Sequence, residues 1–299
     1  MKVQVFSLFL VISFLGINKV SSQSSKYLAS LVDSLPNGIP VFVNLQAPKG
    51  YMALERVTVS KEGRSLFYGV RNGYDSISKA HIVKITYRNK KWSEPEVIFA
   101  DSSGAPSFSR NGKVMYFQYD HPFFPKGIYS KKTESGWSKP IRFMESLKKS
   151  HYLQAPKKNS YYFSAGIKGN DKIQDIYHVT TRKSDTIFKK LDFNLKGDFI
   201  DFFVSRDESF LILIINKNQN PNYEFHQTSN LFISFRKDKN VWSKPINLGK
   251  NVNTVSPWNW GPYVTEDNKY LFFSSWPKKV GTYLIDFEPL LKKAKAKLN

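Results

Sequence analysis

The chain contains no cysteine among its 299 residues. That absence excludes disulfide staples, thiolate nucleophiles, cysteine-ligated zinc and a lipid-modified N-terminal cysteine. Acids are scarce beside bases, with 24 Asp and Glu against 45 Lys and Arg and a formal net charge of +21. Histidine is sparse too. His81, His121, His151, His178 and His226 show no repeated ligand spacing, so no metal centre is expected. Gly-x-Ser-x-Gly, a phosphate loop, a dinucleotide fingerprint and His-Glu-x-x-His are all missing, and no cofactor is implied. What the chain does have is 41% hydrophobic and 15% aromatic residues, enough for a large core. Disordered, collagen-like and coiled-coil classes drop out.

Met1 and Lys2 precede an apolar run over residues 3–17, followed by a polar stretch ending in Ser21, Ser22 and Gln23. A run of about fifteen residues is short for a bilayer span of roughly 20. Residues 1–22 therefore read as a signal peptide cleaved before Gln23. The most apolar later stretch, residues 210–215, has strand length, so the mature chain is expected to be exported, periplasmic or secreted, with no transmembrane segment. Export directs a basic chain away from nucleic acid and toward anionic envelope surfaces. Lys90-Lys91, Lys131-Lys132, Lys157-Lys158 and Lys278-Lys279 lie between apolar runs and read mainly as solvated turns. Residues 288–299 form a basic tail with the pattern of a short helix.

A repeated phrase organises the rest: a short run, a polar turn, then an aromatic strand. Its copies include Ala105-Pro-Ser-Phe-Ser-Arg-Asn-Gly-Lys-Val-Met-Tyr-Phe117 and Pro262-Tyr-Val-Thr-Glu-Asp-Asn-Lys-Tyr-Leu-Phe-Phe273, with a degraded copy at Ala155-Pro-Lys-Lys-Asn-Ser-Tyr-Tyr-Phe163. The residues opening the turns, Ser60, Ser109, Lys157, Ser205 and Thr265, are spaced by 49, 48, 48 and 60. The longer last interval contains a polar insertion over residues 216–227. Between these copies falls a second phrase, at Trp92-Ser-Glu-Pro, Trp137-Ser-Lys-Pro and Trp242-Ser-Lys-Pro, whose proline suits an outer edge strand.

Each period divides into four short strands, as at residues 56–60, 65–70, 80–88 and 92–99. Four-stranded units repeated this often predict an all-β propeller, whose blades bury their faces against neighbours. An irregular sandwich is the competing fold, but it needs no constant period. Five blades are expected, or six if residues 24–50 hold further strand. The last copy lacks an outer strand, and residues 39–45 lack inner ones, so residues 39–45 are expected to pair with 282–287 and close the ring. The division is then 1–22 signal peptide, 23–38 lead-in, 39–287 propeller and 288–299 tail.

The phrase Trp-Ser-x-Pro-x-x-Leu-Gly, then Asn-Thr, then Pro-x-x-Ser/Thr-x-Asp/Asn-Gly/Asn-x-x-Leu-x-Phe-x-Ser resembles the WD-like repeat of TolB-type bacterial propellers. Residues 242–275 match best, and Asp175-Ile176-Tyr177 resembles that family's third-strand start. The similarity runs over residues 40–287. The acid usual three places before the strand proline is replaced by Ser103 and Asn259. The resemblance implies an exported propeller used for binding or scaffolding.

Propeller sites lie at the central funnel, where the first strands and their entry loops meet. Candidates there are Glu55, Arg56, Asp101, His151, Tyr152, Asp198, Asp201, Trp258, Asn259 and Trp260. Tryptophan stacks on apolar sugar faces and carboxylates accept hydroxyls, so the set suits a glycan. The same residues also suit blade packing and a hydrated channel. An enzyme reading takes Glu55, Asp198 and Asp201 as the carboxylates of a five-bladed glycoside hydrolase. A third reading places a protein partner on aromatic rim loops carrying Phe123, Phe124, Tyr223 and Phe225. The expectation adopted is a monomeric, non-catalytic module, without cofactor or metal, for an envelope protein or glycan.

Overall fold

The computed structural model describes residues 25–73, 79–100, 103–119, 126–144, 147, 150–165, 175–182, 185–193, 198–217, 228–253, 257–278 and 280–298. The expected signal peptide and both rim-loop aromatic clusters lie outside the described residues.

After a 3-10 turn at Leu28–Leu31 comes strand β1 (Val41–Val43), and then groups of strands built on one plan. Blade 1 holds β2 (Met52–Val59), β3 (Ser65–Arg71) and β4 (Ala80–Arg88), with an outer edge split between β5 (Lys91–Trp92) and β6 (Glu96–Phe99). Blade 2 holds β7 (Ser103–Phe108), β8 (Val114–Tyr119) and β9 (Lys126–Thr133), edged by β10 (Gly136–Trp137) and β11 (Ile141–Arg142). Blade 3 is β12 (His151–Lys157), β13 (Ser160–Ala165), β14 (Asp175–Arg182) and an unbroken outer β15 (Asp185–Lys190). Blade 4 is β16 (Asp198–Val204), β17 (Phe210–Lys217) and β18 (Thr228–Asp238), with β19 (Val241–Trp242) and β20 (Ile246–Asn247). A short helix α1 (Lys250–Asn253) leads to blade 5, formed by β21 (Trp258–Val264), β22 (Tyr270–Trp276) and β23 (Gly281–Asp286). Helix α2 (Glu288–Lys295) ends the described chain, as the basic tail suggests.

β1 pairs antiparallel with β23, Val41 opposite Leu284 and Val43 opposite Thr282, which is the expected closure. It supplies a fourth strand beside β21, β22 and β23, and a bridge between Ser229 and Trp258 joins this group to that of β16–β18. Two boundaries differ from the sequence reading. The first strand of blade 1 starts at Met52 rather than residue 56, because pairing resumes beyond a bulge between Ala53 and Val57 that breaks the alternation. The outer strand expected over residues 92–99 is interrupted ahead of Pro95, which has no N–H to donate.

The repeated phrases have concrete work in this frame. In each Trp-Ser-x-Pro phrase the serine takes over the ladder just before the proline. Ser93 N–H donates to the Thr86 carbonyl at 3.0 Å, and Ser93 Oγ accepts from Thr86 N–H at 3.0 Å. Ser138 does the same with Lys131, and Ser243 with Phe235. The turn-opening hydroxyls act alike: Ser60, Ser109, Ser205 and Thr265 each accept the backbone N–H five residues on, at 3.0–3.2 Å. Blade 3 has Lys157 there and turns tightly instead, with Lys157 opposite Ser160 and Asn159 at φ 60°.

The cores lie between blades. Phe67, Phe99 and Phe117 join blades 1 and 2, with Phe99 stacked on Phe117 at 4.4 Å. Tyr162, Phe202, Leu211 and Leu213 join blades 3 and 4, while Val57, Tyr68, Phe272 and Leu284 belong to the cluster of blades 1, 4 and 5. Burying each such side chain contributes about 1.5–3 kcal/mol relative to exposure. No helix of the described residues is long and apolar enough to cross a membrane.

Candidate functional site

The first strands β2, β7, β12, β16 and β21 neighbour one another around the axis. Each carries a register shift at the same level: Ala53/Val57, Gly104/Ser107, His151/Gln154, Phe199/Phe202 and Trp260/Tyr263. A bulge lets one strand aim side chains that a regular pleat would alternate away. Here it concentrates polar residues at the hub of the ring.

The deepest of them are Arg56 and Asp201, 1% and 2% exposed, which form an ion pair through Arg56 Nη2 and Asp201 Oδ1. The same nitrogen donates to the Phe202 carbonyl at 2.6 Å. Gly261 N–H donates to Asp201 Oδ2 at 2.5 Å. Gly261 has φ +64°, and a Cβ there would come within 3.1 Å of Arg56 N, so both conformation and space require glycine. The Arg56 guanidinium lies 5.0 Å from the Tyr152 ring centroid, in cation–π range. Gln154 finishes the hub, donating to the Phe202 carbonyl at 2.8 Å and accepting Val204 N–H at 3.1 Å. Burial raises the Asp201 carboxyl to about 6, against the pull of Arg56 and the Gly261 amide. Burial also holds the Tyr152 phenol well above its ordinary value.

Toward the funnel mouth opens a cleft of about 330 Å³ lined by Glu55, Arg71, Gln118, His151, Tyr152, Trp258 and Trp260. Glu55 is 6% exposed and takes Arg71 Nε at 3.1 Å. Gly69 makes room for it, since a Cβ at that position would lie 2.3 Å from Glu55 Cβ. Trp258 and Trp260 are two apart on β21, so the pleat turns both to the cleft while Asn259 faces the other way. Asn259 is fully buried. Its backbone N–H donates to Ser229 Oγ at 2.9 Å and its Oδ1 accepts Ser275 Oγ at 2.7 Å, which clamps β21 to β18 and β22.

The structure thus brings Glu55, His151, Tyr152, Trp258 and Trp260 together at one cleft, and places Arg56 and Asp201 in the hub outside its lining. Asn259 belongs to the blade framework rather than the cleft. Asp101, Phe123, Phe124, Tyr223 and Phe225 lie outside the described residues, and so does the side chain of Asp198, whose backbone sits in β16 opposite Asn216. Sequence reasoning missed Arg71, Gln118 and Gln154. The first two are polar residues at the funnel ends of apolar second strands, a signal visible once the blades are aligned.

The cleft combines indole faces with polar side chains, an arrangement that can hold a polar ligand with a flat face. Of the carboxylates read as hydrolytic, Glu55 is paired with Arg71 and Asp201 is sealed against Arg56.

No protein-family model matches the chain, and no curated protein matches it. Solved structures do. A mannose phosphorylase from Leishmania mexicana, in complex with phosphate ion, has a TM-score of 0.56 at 10% identity, covering 91% of this chain and 94% of that one. BT0996, in its RGII complex, has a TM-score of 0.52 at 10% identity, covering 89% and 95%. TolB from Acinetobacter baumannii has a TM-score of 0.47 at 14% identity, covering 77% of this chain; the overlap spans about half of that TolB, 54% of its length. The phosphorylase and BT0996 likenesses establish the β-propeller fold.

Proposed function

We propose that the chain is a non-catalytic, exported propeller that binds a sugar of the cell envelope in its funnel cleft. The observation carrying this reading is the pair Trp258 and Trp260 on one face of β21, beside a carboxylate held in place by Arg71. Indole faces pack on the C–H faces of sugar rings, while Glu55, Gln118 and His151 supply hydrogen-bonding groups for hydroxyls. A retaining glycosidase needs two carboxyl groups about 5–5.5 Å apart, one with a raised pKa and both facing the sugar. Glu55 is paired with Arg71, and Asp201 is paired with Arg56 in the hub, outside the cleft lining. That a propeller of the same outline is a mannose phosphorylase supports the scaffold's fitness for sugars.

The test is calorimetric titration of the chain with envelope oligosaccharides, followed by chromatography of the recovered sugar. Binding without cleavage is expected, weakened about tenfold or more in Trp258→Ala and Trp260→Ala, the loss of roughly 1.4 kcal/mol of stacking. Cleavage abolished by Glu55→Gln would replace this reading with the hydrolase. Undiminished binding in both tryptophan variants would remove the sugar from the funnel and favour a protein partner on the rim.

A further inference from the structure

The end of the channel opposite the funnel is built from the turns that join first and second strands. On the side of blades 4 and 5 its acids are engaged: Glu266 with Arg206 at 2.9 Å, Glu208 with Lys157 at 2.9 Å and Ser160 at 2.6 Å, and Asp207 with the Ser209 amide at 3.0 Å. On the side of blades 1, 2 and 3 the turns deliver Lys61, Arg110 and Lys158 to one pocket of about 650 Å³, whose lining also includes Lys157 and Glu266, each already in one of these ion pairs. None of these three cations has an ion-pair partner among the described residues.

The pocket coincides with the tight turn of blade 3. Where the other blades run five residues from turn-opening hydroxyl to paired amide, blade 3 runs only from Lys157 to Ser160. The shorter turn leaves the side of blade 2 uncovered, and Tyr116 and Tyr161 become pocket walls, with Asn111 and Asn159 at the rim. Both phenols stay protonated, their pKa values raised by burial.

We propose that this second pocket binds an anionic sugar, a ring bearing a phosphate, sulfate or carboxylate group, independently of the funnel. Three exposed cations from three separate blades, without an ion-pair partner among the described residues, give the pocket a positive potential that favours an anion. A guanidinium forks onto two oxygens of such a group, and lysines add point charges. The tyrosine walls and asparagine amides then suit a ring with hydroxyls rather than a bare ion. At this volume the pocket falls within the range of small-ligand sites and is about twice the size of the funnel cleft.

The experiment titrates the full chain with glucose 6-phosphate, a galacturonate trisaccharide, inorganic phosphate and glucose. Binding of at least one anionic sugar is expected, at least tenfold tighter than glucose and than phosphate, and weakening as salt rises. Arg110→Ala and Lys158→Ala should each reduce it about tenfold with thermal unfolding unchanged. Trp258→Ala should leave it intact, which separates this pocket from the funnel. Phosphate binding as tightly as the anionic sugars would overturn the assignment in favour of a simple anion site. No binding of either anionic sugar would overturn it, as would binding indifferent to both cation variants.

Discussion

The two mouths of the central channel use charge in opposite ways. At the funnel, Arg56 meets Asp201 and Arg71 meets Glu55, so each cation is matched by an acid at the level of the bulges. At the far mouth, Lys61, Arg110 and Lys158 face one pocket while the nearby acids Glu208 and Glu266 are held by other bases. Arg56 with Asp201 therefore fastens blade 1 to blade 4, and Arg71 with Glu55 braces two strands of blade 1. Among the described residues no acid pairs with the far mouth's three cations. A single basic composition hides both roles.

Breaking the hub should have the largest effect. Asp201→Asn leaves the Arg56 guanidinium buried without a counter-charge, a situation that costs about 3–5 kcal/mol; urea unfolding should show this, while Arg56→Met combined with Asp201→Leu should recover most of the loss. Lys158→Ala and Arg110→Ala, by contrast, should change stability by no more than about 0.5 kcal/mol, as solvated side chains do. A double variant at the hub as unstable as Asp201→Asn would show that the pair acts through more than its charge.

The pH dependence sharpens the contrast. Glu208 is held below its ordinary value by Ser160 and Lys157 despite its burial, and its contribution, present above about pH 4.5, is lost as pH falls through the folded value. His178, lowered by burial while stacked on Tyr162, likewise loses its contribution as pH falls below about 6.5. Urea midpoints measured from pH 4 to 8 should lose part of the acid-side fall in His178→Gln.

Smaller effects belong to the repeat itself. Ser109→Ala and Ser205→Ala each remove the acceptor of a turn amide and should cost about 1 kcal/mol. Lys157→Ser, which gives blade 3 the missing hydroxyl, should restore nothing because its turn is too short to present an amide five residues on. A stability gain in that variant, read by thermal unfolding, would show that the turn can rearrange to the common form.

The repeat made much of this legible. The hydroxyl-opened turns and the Trp-Ser-x-Pro edges recur at fixed spacing because each satisfies the same backbone groups in every blade, and the incomplete ends announced ring closure. The pairing of Arg56 with Asp201 was hidden: the two lie 145 residues apart, and only the closed ring brings them together. Asn259 read as a funnel residue because Trp258 and Trp260 flank it, yet the pleat turns alternate residues to opposite faces. Ala105, Tyr152 and Gly261 take positive φ inside the bulges, at 49°, 55° and 64°, and only the glycine signals this from its type. The far pocket showed in sequence only as a degraded turn.

The most direct test is to follow the indole N–H resonances of all six tryptophans while an envelope oligosaccharide is added, and then to recover the sugar. Trp258 and Trp260 are expected to shift together, and the oligosaccharide to come back intact. Shifts confined to Trp92, Trp137, Trp242 or Trp276, or a shortened oligosaccharide, would contradict it.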